Sequence, residues 1–339
     1  METPRPAKRA RSGSDPSTKS PLEGYTRGEL WFDDGNVILV AEKTAFRVYQ
    51  GVLSKNSEIF RDMFTIPQPA DAEKLEGCPV VHLSDSQKDL ERFLSAVFDL
   101  GNTYYGTQRL PFSIVSAMLR LGTKYGVDFL RESAIGRLRT IFPPRLSDFH
   151  NAFTEWALWL ESGGDPANEA AFSNTLVDMK QEDLFEALNL VQSLGLDAFL
   201  PQALYCCACI QGELLLVGHT DVDGYHHELS SDDLKNLYRA QFQFREEWVK
   251  RATFYLIGKP VPHCLTPQAC AEGLSKSRNI YLSTLHAVNA VLLDIGWTSK
   301  AGLCPVCMTH ATESITAQRD RVWNELAEIF ELEVQWPIP

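Results

Sequence analysis

The sequence has no run approaching the roughly 18 consecutive apolar residues that a membrane-spanning helix needs. It also has no G-x-S-x-G, no phosphate-cradling G-x-x-x-x-G-K-[ST] and no G-x-G-x-x-G. The usual sequence marks of α/β-hydrolases, P-loop NTPases and dinucleotide enzymes are therefore missing. Basic charge is in short supply: 32 Lys and Arg stand against 44 Asp and Glu, a formal net charge of −12. Five of the basic residues and only two of the acidic ones fall in residues 1–20, so that segment is +3 and the remainder is −15. An acidic body repels phosphate backbones, which argues against direct nucleic-acid binding by the folded part. The N-terminus is charged and Pro-rich, unlike a secretory signal. Without an export signal the eight cysteines are expected in a reducing compartment, nuclear or cytoplasmic, as thiols or metal ligands and not as disulfides.

What is present fits a soluble globular protein. Of its 339 residues 44% are hydrophobic and 22% charged, enough chain for two ordinary domains. Residues 1–21, rich in Pro, Ser and charge and without large apolar side chains, are expected to be disordered. Their cluster Lys8 to Arg11, "KRAR", reads as either a short nuclear-import signal or a solvated basic tail. Residues 28–48 alternate as strands, with Glu42-Lys43 as a short hairpin connection. Short helices are expected at 49–55 and 57–64, the second capped by Ser57. The strand "VVHL" follows, then a helix capped by Ser84 or Asp85. Next come "PFSIVSAMLRLGTKYG", with Pro at its start and Gly at its end, and a helix stopped by Pro143-Pro144. From Leu146 onward the periodicity is nearly all helical, with candidates at 147–161, 181–194, 199–211, 231–257, 267–274, 279–295 and 314–332. The fold class is thus α+β, with boundaries at 1–21, 22–143 and 144–339.

The order of these patterns carries a resemblance. "WFDDGNVILVAEKTAFRVYQGVLSKNSEIFRDMF", "CPVVHLSDSQKDLERFLSAVFD" and "LRLGTKYGVDFLRESAIGRLRTIFP" resemble the BTB/POZ domain over roughly residues 28–142, and within that family the proteins expanded in mushroom-forming fungi. Leu53, Ser57 and Phe60 fall in register with the family's Leu-x-x-x-Ser-x-x-Phe, while Tyr49-Gln50 stands where His-Lys is usual. The resemblance implies a BTB/POZ-like domain followed by a mostly α-helical one. It also implies a non-enzymatic, self-associating scaffold or regulatory adaptor, with a protein partner the sequence does not name. Leu53, Ile59 and Phe60 are expected in the core, and Trp31 and Phe32 at an interface. An alternative is a substrate adaptor of a cullin-3 ubiquitin ligase. The hydrophobic-x-Glu signature of many such adaptors is missing, because Asp71 precedes Glu73 and Lys74 precedes Glu76.

One constellation carries chemistry. Cys264 and Cys270 form C-x5-C, and after thirty-three residues Cys304 and Cys307 form C-x-x-C. Two such pairs supply the four thiolates of a structural Zn2+ tetrahedron. The same spacing also admits four buried thiols or, for Cys304 and Cys307, a redox pair; that would leave a zinc- or thiol-dependent enzyme as a further alternative. His263 and His310 are reserve ligands. "GHTDVDGYHHE", residues 218–228, contains D-x-D-G but lacks the further acidic positions of a calcium loop, so it reads as a polar surface loop. Cys206, Cys207 and Cys209 in "LYCCACI" read as small buried hydrophobes, and Trp156, Trp159 and Trp323 as core.

Overall fold

The computed structural model describes residues 24–67, 69, 71–98, 104, 106–156, 172, 174–210, 213–257, 259–283, 291–292 and 301–337. The basic segment 1–21 and Trp159 lie outside the described residues. The chain is α+β and mostly helical, and it divides into two compact units, 1–95 and 96–339. The Pro143-Pro144 pair lies inside the second unit, where the Pro143 carbonyl accepts a hydrogen bond from buried Gln202. No described helix is long and apolar enough to cross a membrane.

The first unit is built on a five-stranded sheet of order β1-β3-β2-β5-β4. Its strands are β1 (Thr26–Trp31), β2 (Val37–Ala41), β3 (Thr44–Val48), β4 (Lys74–Leu75) and β5 (Cys78–Leu83). β2 lies at the centre, antiparallel to β3 and parallel to β5. That position explains its unbroken apolar sequence, VILVA: all five of its residues are buried, as for a strand covered on both faces. Ala41 pairs with Thr44 across Glu42-Lys43, the hairpin the sequence predicts. Helices α1 (Gln50–Asn56) and α2 (Glu58–Thr65) follow. Ser57 separates them, and its hydroxyl accepts the Phe60 amide, so the cap forms as its residue type requires.

Leu53 and Phe60 are core residues, as expected. Ile59 is not; it is 44% exposed. Residues on a helix advance about 100° each, and the inward face of α2 is set by Phe60, Met63 and Phe64, which turns Ile59 outward. Tyr49 fills the position of the familial His with its ring on Phe32, centroids 4.8 Å apart, and its hydroxyl donating to Asp34. α3 (Gln87–Phe98) is capped by Ser86, whose hydroxyl accepts the Asp89 amide, and not by Ser84 or Asp85. Three adjacent polar residues all suit an N-cap; only the backbone path selects one.

In the second unit α4 (Phe112–Lys124) and α5 (Asp128–Ile141) form a tight antiparallel pair. Gly126, at φ +62°, ends α4. The Val127 amide donates to the Gly122 carbonyl and the Gly126 amide to that of Thr123, which is the Schellman closure. Then come α6 (Leu146–Ala152), β7 (Val177–Asp178, paired with β6, Leu110–Pro111), α7 (Asp183–Ser193) and α8 (Leu200–Cys209). A short helix, α9 (Leu214–Val217), leads to a small hairpin, β8 (His219–Thr220) and β9 (His226–His227). The long α10 (Ser231–Ile257), α11 (Pro267–Ser283), α12 (Pro305–Asn324) and α13 (Leu326–Ile329) complete the described elements. α11 runs through the break expected after 274, and α12 begins nine residues before the expected 314. Both differences trace to weak amphipathic patterning, since packing and not periodicity fixes these ends.

The buried centre of this unit is aromatic. Phe149 stacks on Phe153 at 4.3 Å and meets Tyr205 and Trp323 at its edges. Trp156 and Trp323 are core, as the sequence predicts. So are Cys206, Cys207 and Cys209 on α8. Burial pushes the Cys206 and Cys207 thiols far up and that of Cys209 to about 12. Such thiols are neutral and poor nucleophiles at neutral pH.

Candidate metal centre

The structure brings together all four cysteines that the spacing singled out. Cys264 lies in the loop before α11, and Cys270 in that helix's first turn. Cys304 is the N-cap residue of α12, and Cys307 lies in its first turn behind Pro305. Pro at the first helical position loses no hydrogen bond and fixes the entry angle. The C-x-x-C pair therefore straddles a helix start, where two residues three apart face the same side. The longer C-x5-C arises because one thiol is placed by a loop and the other by a helix turn.

The four sulfurs lie within 4.8 Å of one another. The Cys264 and Cys304 sulfurs are 3.7 Å apart. Two ligands about 2.3 Å from a tetrahedral zinc stand about 3.8 Å apart, so this separation is the edge such a tetrahedron needs. Amides point at the sulfurs. The Cys304 amide donates to Cys270 Sγ at 3.2 Å, the Cys307 and Leu265 amides to Cys304, the Thr266 amide to Cys264 and the Val261 amide to Cys307. Such bonds favour thiolate over thiol.

Led by the Cys307 amide, they hold Cys304 at about 6, against an opposing push from burial. Burial drives Cys264 the other way, to about 12, and also raises Cys307. Four adjacent sulfurs cannot all carry charge without a cation, so deprotonating one opposes the others. Val261, Leu303 and Val306 pack around the cluster. Cys270, Cys304 and Cys307 are buried and Cys264 half-buried. All eight cysteines are free thiols. His263, the residue before Cys264, sits at φ +67°. Neither His263 nor His310 belongs to the four-residue donor set.

One close approach carries the convergence. A Cβ on Gly273 of α11 would collide with the Ala301 carbonyl oxygen. That backbone leads directly into Cys304. Gly273→Ala must therefore push residues 301–304 off α11 and open the sulfur cluster. We expect this variant to lose at least about tenfold in zinc affinity, in the range typical when the groups orienting metal ligands are displaced. Competition against a chromophoric chelator measures it; unchanged affinity would show that the approach is incidental.

The other candidates are also placed. Trp31, at the end of edge strand β1, is half-buried, with the Arg27 guanidinium 4.7 Å from its ring centroid. Phe32 is half-buried against Tyr49. Glu73 accepts from Tyr25 and bonds His82, while Glu76 pairs with Arg47. The segment 218–228 is a hairpin. Asp223, His226 and Glu228 are part-exposed to exposed, but Asp221 and His227 turn inward to Glu186 on α7. Sequence reasoning missed Glu186, because nothing near it in the chain signals a ligand. No family model matches the chain, and no curated protein or solved structure matches it.

Proposed function

We propose that this protein is a non-enzymatic interaction module of the BTB/POZ type: it self-associates through its N-terminal unit, and one structural Zn2+ on Cys264, Cys270, Cys304 and Cys307 staples its C-terminal unit. The observation that carries the zinc is the tetrahedral edge between Cys264 and Cys304 within a four-thiol cluster lined by amide donors. Four cysteine ligands fill a tetrahedron and leave no open coordination position, which favours a structural role over a catalytic one.

Self-association is supported by the first unit. Its strand–hairpin–helix-pair order follows the resemblance, and β1 lies at the edge of the sheet. An edge strand offers unpaired amides and carbonyls to another chain. Trp31 and Phe32 stand at the end of that edge, and Ile59 and Ile66 are exposed apolar residues of the same unit, at 44% and 60%. Light scattering on the full chain at micromolar concentration tests the proposal. A dimer or larger species is expected; a clean monomer across that range would sink it.

A further inference from the structure

A second group of donors, containing no cysteine, meets in the same unit. Asp221 and His227 come from the β8–β9 hairpin and Glu186 from α7, and one donor atom of each lies within 4.8 Å of the other two. His227 Nε2 is 3.0 Å from Asp221 Oδ2 and 3.9 Å from Glu186 Oε2. Ligands about 2.0–2.1 Å from a tetrahedral ion stand about 3.3–3.4 Å apart, and the two observed separations bracket that value.

The outer oxygens decide the case. Glu186 Oε1 accepts from the Arg120 guanidinium at 2.7 Å. Asp221 Oδ1 accepts from the Asp223 and Tyr225 amides, each at 2.9 Å. Each carboxylate is thus held from outside the cluster by one oxygen and turns the other toward the imidazole. That division of labour, an outer partner orienting an inner donor, is how metal ligands are fixed. A proton on His227 Nε2 satisfies only one of the two inner oxygens well, because a hydrogen bond at 3.9 Å is not one. A single cation satisfies both.

The three groups are partly accessible, with side chains 12% (Glu186), 19% (His227) and 24% (Asp221) exposed. Glu186 and Asp221 open onto a cavity of about 350 Å³ that Asp183, Asp223 and His219 also line. The cavity is rich in carboxylates. Burial, with Glu186 and Glu182 adding to it, pushes Asp183 up to about 6 in spite of the Lys180 amide it accepts. Burial acts upward on Asp221 too, yet the His227 ring and the two amides outweigh it and hold that carboxyl below its usual range.

We propose that Glu186, Asp221 and His227 form a second, three-ligand site for a divalent transition ion, its remaining coordination positions open to the cavity. Two carboxylates and an imidazole suit zinc and manganese, whereas four thiolates exclude manganese. The two sites are therefore separable by choice of probe. Protein stripped with chelator is titrated with Mn2+ and followed by water-proton relaxation, with a parallel Zn2+ titration.

The wild-type chain is expected to bind about one Mn2+, and about one Zn2+ beyond the thiolate-bound ion. Asp221→Asn and Glu186→Gln preserve shape and hydrogen bonding and should each weaken Mn2+ binding by at least about tenfold. Cys304→Ser/Cys307→Ser should leave Mn2+ binding unchanged, so failure of the zinc staple and failure of this site are told apart. Circular dichroism shows whether each variant keeps its fold. Absence of saturable Mn2+ and second-equivalent Zn2+ binding overturns the proposal, as does binding that neither carboxylate substitution weakens.

Discussion

Protein purified without chelator is expected to carry about one zinc per chain in the cysteine cluster, and a Cys304→Ser/Cys307→Ser variant to lose it. Removing two ligands leaves Cys264 and Cys270, which hold a zinc ion weakly. In small zinc modules the metal supplies about 10–16 kcal/mol of apparent binding energy, and apo forms unfold. Here α10, α8 and the aromatic centre around Phe149 have a core of their own. The loss is therefore expected to be regional. Hydrogen exchange should rise in 259–283 and 301–324, where Cys264, Cys270, Cys304 and Cys307 sit, and stay unchanged in the strands of 26–83. Elemental analysis reads the stoichiometry. A metal-free protein whose four thiols react only after denaturation would instead make the cluster a set of buried thiols.

The largest stability effect expected from a single side chain is at Arg137. It lies on α5, 2% exposed, and among the described residues no carboxylate partners its guanidinium. Its two terminal nitrogens donate to the carbonyls of Gln108 and Leu176, at 2.6 and 3.0 Å, and of Tyr104 and Gly106, at 3.2 and 2.9 Å. Burial lowers its pKa, which is the electrostatic cost of holding a cation there. The four carbonyls offset that cost.

Arg137 ties the segment before β6 to the segment before β7, which are far apart in the chain. Arg137→Met keeps much of the volume and removes every donor. Hydrogen bonds to charged groups contribute about 1.5–3 kcal/mol each, but they are not additive, so we expect a net loss of about 3 kcal/mol. For a unit of this size that lowers Tm by roughly 6–12 °C. Arg137→Lys, with three donors on a single nitrogen, should recover only part of it. Differential scanning calorimetry decides; a Tm for Arg137→Met within about 2 °C of wild type would show that the clamp adds little.

Local chemistry in the sequence was enough for features that depend on neighbours in the chain. Ser57 caps α2, Glu42-Lys43 turns the hairpin, and Pro111 and Gly126 bound α4. Each of these is settled within about one helical turn or one hairpin loop, where residue type limits the backbone directly. The grouping of Cys304 and Cys307 with Cys264 and Cys270 was legible as one candidate ligand set, beside the readings as buried thiols and as a redox pair. That they meet depends on Gly273 admitting the Ala301 carbonyl, a contact between segments that no spacing announces.

Tertiary structure alone decided the rest. It turned Ile59 outward by choosing Phe60 for the inner face of α2, and it selected Ser86 among three adjacent caps. It also joined Glu186 to Asp221 and His227. The hairpin read as a polar loop because its own residues complete no ligand set; the third donor and the arginine that orients it come from two other helices. A carboxylate on a helix face gives no sequence signal of what will pack against it. Donor convergence is a property of packing, set by which apolar faces meet, and the chain order of the donors carries no record of it.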